Sequence, residues 1–148
     1  MLKHSTLLSS LGLAASLCGV ALPSTAASLP AVQHAGNITF ITGGIGLDES
    51  TAFESAMKKW PLTLLFAERI GQRAEYVANV QVEVSDLKGH TAIDTTSQGP
   101  FMLANVQPGS YKVAATLDGK TLRQVVAVTQ GKAAKVTFLW PEQAGEQP

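Results

Sequence analysis

The 148-residue sequence predicts an all-β antiparallel sandwich, and three observations carry that reading. Between residues 76 and 140, short runs rich in Val, Thr, Phe and Tyr are separated by Gly- and Pro-bearing turns roughly every ten residues, the rhythm of a sandwich. Val80, Val82 and Val84 alternate with Gln81, Glu83 and Ser85, which gives a strand one apolar and one polar face. Asp118-Gly119 between two such runs is the strongest hairpin signal in the chain.

At the N-terminus a short segment with Lys3 precedes an uncharged apolar run and then Ser24-Thr25-Ala26, the layout of a secretory signal. The run is shorter than the ~20 residues a membrane-spanning helix needs, and Gly12, Gly19 and Pro23 interrupt it. Residues 1–26 are expected to be a signal peptide cleaved after Ala26, which leaves 122 residues, one domain by size. Lys3 and Cys18 leave with it, so the mature chain has ten basic and eleven acidic residues and no disulfide. Nothing in that near-neutral balance points to a nucleic-acid partner or to membrane insertion after cleavage, and the short N-terminal region and Ala-rich apolar run of the signal point to a periplasmic or secreted location.

Residues 28–36 read as a flexible lead-in, and 37–42 (N-I-T-F-I-T) as a short strand ended by Gly43-Gly44-Ile45-Gly46. A helix follows, because Ala52, Phe53, Ala56, Met57 and Trp60 share one stripe of a 3.6-residue period. Thr51 and Glu54 have the spacing of a capping box, Asp48 and Glu49 suit the positive end of the helix dipole, and Glu54 and Lys58 are spaced to pair. Pro61 ends the helix. Residues 62–68 read as a strand and 69–75 as a polar loop, so 37–75 forms a strand-helix-strand addition packed on the sandwich. Strands are then expected at 76–85, 91–96, 101–106, 111–117, 122–129 and 134–140, with 141–148 a disordered tail.

The run V-x-V-x-D-x-x-G from Val82, followed by D-T-x-S-x-G-x-F-x-L-x-N-V-x-P-G-x-Y-x-V-x-A from Asp94, resembles the carboxypeptidase regulatory-like domain. That resemblance covers 76–140 and implies a seven-stranded transthyretin-like (prealbumin-like) sandwich, with Gly99 and Pro108-Gly109 at turns and Tyr111 packed inward. It implies a fold and no activity, since the peptidase chemistry of carboxypeptidases belongs to a separate domain.

Catalytic constellations are weak. Ser97-Gln98-Gly99 is not a nucleophile elbow, and no His-x-x-Glu zinc motif occurs. Transthyretin-like hydrolases of purine breakdown end in Tyr-Arg-Gly-Ser, whereas this chain reads Leu139-Trp140-Pro141-Glu142. His34 and His90 stand apart without second ligands at metal spacing. The Gly43-Gly44-x-Gly46 run before a helix would suit a phosphate, but Asp48 and Glu49 oppose an anion there. The expectation is therefore a non-catalytic envelope module without cofactor or metal that recognises a protein partner. The candidate contact residues are Gly43, Gly44, Gly46, Asp48, Glu49 and Tyr76. The alternative is a carbohydrate- or peptidoglycan-binding module using Trp60, Trp140 or Tyr76 as an aromatic platform, with an uncharacterised hydrolase as a remote third.

Overall fold

The computed structural model describes residues 18–21 and 28–143; most of the expected signal peptide, its cleavage site and the end of the expected tail lie outside the described residues. Ten strands and one helix follow in the order β1 (Gln33–Ala35), β2 (Ile38–Gly43), α1 (Leu47–Ala56), β3 (Leu62–Ile70), β4 (Arg73–Tyr76), β5 (Val80–Asp86), β6 (Thr91–Ser97), β7 (Phe101–Asn105), β8 (Gly109–Leu117), β9 (Lys120–Val128) and β10 (Ala134–Trp140). A six-stranded sheet has the order β1-β2-β7-β3-β10, with β4 paired to the far half of β3, and a four-stranded sheet has the order β6-β5-β8-β9. An all-β, sandwich-like fold is present; within 76–140 it has six whole strands, β5 to β10, where the resemblance implies seven.

The main core lies between the two sheets. Phe40, Leu62, Leu64, Phe66, Met102 and Phe138 from the larger sheet meet Val80, Val82, Val84, Val113, Ala115 and Val126 from the smaller one. The valine alternation of β5 is thus one-sided burial, as its period of two requires. One flank of the sandwich is closed where the Trp140 indole N–H donates to the Lys120 carbonyl at 2.9 Å and the Gln124 amide donates to that of Thr137 at 3.0 Å.

A second, smaller core explains why β3 reads as an unbroken apolar run. Its other face, with that of β7, lies under the helix, where Phe53 meets Ile41, Leu65, Phe101 and Leu103. A strand buried on both faces loses the alternation that marks a half-exposed one.

Four expectations are corrected. The 37–75 segment is not an addition to a complete sandwich, because β2 and β3 flank β7 inside the larger sheet. The sandwich is not wholly antiparallel, since β3 and β10 run parallel from Leu62↔Ala134 to Glu68↔Trp140. The lead-in contains β1, which pairs with β2 through a turn at Gly36. The loop at 69–75 contains a hairpin instead, turning at Gly71 (φ 58°) and returning as β4.

The helix also starts earlier than the Thr51–Glu54 box implies. Gly46 occupies the N-cap without a side-chain cap, and the Thr51 hydroxyl lies inside the helix, donating to the Leu47 carbonyl at 2.7 Å. Among the described residues Glu54 and Lys58 form no ion pair.

Candidate functional site

The helix, β2, β4 and β7 converge on one ring. Phe101 is 1% exposed and is the first residue of β7, directly opposite Gly43 at the end of β2. Phe53 of the helix stacks on it with centroids 5.4 Å apart and planes at 22°. Tyr76, the last residue of β4, meets the same ring edge-on at 5.6 Å and 63°.

The glycines that precede the helix exist to let this hub close. A Cβ on Gly43 would meet the Glu49 carboxylate, and one on Gly44 would enter the Phe101 ring. Gly44 also has φ 97°, a conformation that favours glycine. Both are buried, so neither offers the contact surface expected of it.

Glu49, half-buried, reaches back from the third position of the helix and accepts the Gly44 N–H at 2.7 Å. Its carboxylate fills the place an anion would take at that backbone amide. Of the six candidates, Gly46, Asp48 and Tyr76 face solvent.

Beside this buried ring Tyr76 is exposed, and so are Ile45 and Leu47 in the stretch that follows Gly44. Ile45 is 64% exposed, Leu47 82% and Tyr76 55%, and Gly46 and Asp48 lie between or beside them. The sequence reading missed Ile45, Leu47 and the hub Phe101. The signal was there in part, because Leu47 lies on the side of the helix opposite the 52–60 apolar stripe.

Tyr76 is brought to this ring by a break in the expected 76–85 strand. The Val77 N–H donates to the Phe66 carbonyl, and Asn79 has φ 59°, which carries the chain from the larger sheet to the smaller. Tyr76 and Val80 therefore belong to different sheets.

The remaining aromatic candidates divide. Trp140 is 1% exposed, packed on Phe66 and Phe138, with its N–H bonded, and offers no platform. Trp60 is half-buried, packed against the small core at the far end of the helix. His34 lies in β1, and His90 sits 2.9 Å from Asp86 through Nδ1. Among the described residues no three His, Cys, Asp or Glu side chains gather into a metal-binding group.

Tyr111 packs against the main core and donates its hydroxyl to the Gln107 carbonyl at 2.6 Å, which pins the β7–β8 turn. Its phenol is pushed above the ordinary tyrosine range, first by burial and then by the Asp86 carboxylate opposite it, so it stays a donor.

Among the described residues no helix is long and apolar enough to cross a membrane. No protein-family model matches this chain, and no curated protein matches it as a relative.

Proposed function

We propose that this chain is an exported, non-catalytic interaction module of the cell envelope that recognises a protein partner through the exposed residues Ile45, Leu47 and Tyr76. One observation carries the reading. Tyr76 exposes apolar surface against the buried Phe101 ring, Ile45 and Leu47 expose more in the stretch after Gly44, which packs on that ring, and none of the three belongs to the core. Apolar and aromatic side chains held out on a stiff support are the usual makings of a protein-binding patch, since little entropy is lost when they are covered.

The export and periplasmic parts of the proposal rest on the signal-like layout of residues 1–26. The carboxypeptidase regulatory-like assignment of 76–140 and its transthyretin-like topology rest on the Asp94–Ala115 motif, two of whose features have a physical role here. Gly99 fits against the Gly43 carbonyl, and Tyr111 caps its turn.

The test is photo-crosslinking in living cells from position 47, with position 125 on the opposite sheet as control, because Val125 is also exposed, at 68%. A recurrent envelope protein captured from 47 and not from 125 supports the proposal. Equal capture from both positions, or none, overturns it, and retention of the protein by isolated cell wall turns the reading towards a glycan.

A further inference from the structure

The end of the sandwich away from Phe101 carries a second constellation, which the proposal above does not use. Because β2 runs from Ile38 to Gly43 and β7 runs back to Asn105, Gly43 and Asn105 mark opposite ends. At the Asn105 end a cleft opens where four connections meet: the β1–β2 turn, the helix–β3 junction, the β7–β8 turn and the β9–β10 turn. Trp60 lines it together with Lys58, Lys59 and Lys132. Asn37, Asn105 and Gln107 add amide groups to the wall, and no Asp or Glu lines it.

This is an uneven placement of charge for a chain whose basic and acidic residues number eleven each. Among the described residues none of the three lysines is in an ion pair, so their mutual repulsion is relieved by no carboxylate there. The walls are also held in place. The Ala134 N–H donates to the Pro61 carbonyl at 2.9 Å, which ties the Trp60 segment to β10. The Lys132 N–H donates to the Thr129 carbonyl at 3.2 Å, and Tyr111 fastens the backbone at Gln107. A site whose walls are set before binding loses less freedom when a ligand enters.

We infer that this cleft binds a short acidic saccharide, one whose sugar rings carry carboxylate groups. A sugar ring has a flat C–H face that stacks on an indole, hydroxyls that exchange hydrogen bonds with amides, and, in a uronate, a carboxylate for an ammonium group. Trp60, the asparagine and glutamine amides and the three lysines supply one partner for each. A purely cationic patch would account for the lysines but not for the amides, nor for the part of the half-buried Trp60 that lines the cleft.

The inference is independent of the partner proposal, and its test uses the mature chain labelled with ¹⁵N and titrated with trigalacturonate. Two indole N–H signals report, one from each tryptophan. The expected result is a shift of the Trp60 signal with the Trp140 signal unmoved, because Trp140 is buried with its N–H bonded at 2.9 Å. Lys59→Gln combined with Lys132→Gln should weaken binding about tenfold with spectral dispersion intact, since charge partners at a rim act on affinity and salt dependence. Asn105→Ala should weaken it by a smaller factor, while Leu47→Ser should leave it unchanged. Equal binding of neutral maltotriose overturns the acidic class. Tripolyphosphate binding as tightly without moving the Trp60 signal reduces the site to a cation patch, and an equally bound glutamate-rich peptide makes it a peptide site. The absence of any shift overturns it outright.

Discussion

Gly99 lies against the backbone of Gly43 so closely that a Cβ at position 99 would land on the Gly43 carbonyl. The two residues are 56 positions apart, Gly43 at the end of β2 and Gly99 in the turn that leads from β6 into β7, so their contact joins the larger sheet to the crossing from the smaller one. The same turn is tightened by the Ser97 hydroxyl, which donates to the Gly99 carbonyl at 2.6 Å, and by the Gln98 N–H, which donates to the Thr42 hydroxyl at 3.3 Å.

Gly99→Ala is therefore expected to destabilise the protein by about 3 kcal/mol, the upper end of overpacking, because the obstructing atoms are backbone and cannot rotate away. Urea unfolding followed by circular dichroism measures it. A midpoint equal to that of the parent protein would mean the turn gives way freely.

Phe53→Ala is expected to cost about 3–5 kcal/mol, as for other buried aromatic truncations. Phe53 is 0% exposed and is the ring through which the helix holds Phe101. Leu47→Ala at the exposed start of the same helix should change the unfolding midpoint little, and that contrast separates loss of packing from loss of helix.

Thr63→Val is expected to raise stability by about 1 kcal/mol. Thr63 is 1% exposed and its hydroxyl finds no partner among the described residues, so it bears the cost of a buried, unbonded polar group. Valine keeps the shape and the β-branch without that cost. The thermal midpoint should rise, and a fall would show that the hydroxyl has a bonded partner after all.

Asp86 should make stability depend on acid. Its carboxylate accepts the His90 and Lys88 N–H groups, both at 2.9 Å, and faces the His90 ring. These bonds, the one from the His90 backbone foremost, hold its pKa below the ordinary carboxylate value. A depressed folded pKa gives stability that is complete above the unfolded value of about 3.9 and is lost as pH falls through the folded one. The difference in melting temperature between the parent and Asp86→Asn should thus be constant near neutral pH and shrink below about pH 4. A difference independent of pH down to 2 would contradict the assignment.

Much of the local structure was legible without coordinates. The alternation in β5, the turn at Asp118-Gly119 and the bounds of β10 all follow from neighbouring residues acting on one another. The helix was legible from its stripe, although its start was not, because the chain closes that end with Glu49 on the Gly44 amide instead of a side-chain cap at Gly46. Half of the candidate site is legible too, since the Gly-Gly-x-Gly break and Tyr76 stand out in the sequence, whereas Phe101 reads only as the start of an apolar strand.

Sequence by itself determined most of the strands, although not β1 or β4, which face of β5 is apolar, and that a helix precedes Pro61. Tertiary structure alone decided that β3 lies between β7 and β10, that β10 runs parallel to it, and that Gly43, Phe101 and Tyr76 meet. The physical reason is range. Propensity, periodicity and turn chemistry act over a few residues, whereas the pairing of β3 with β10 joins positions more than seventy residues apart and is chosen by which apolar faces fill the space between two sheets and a helix.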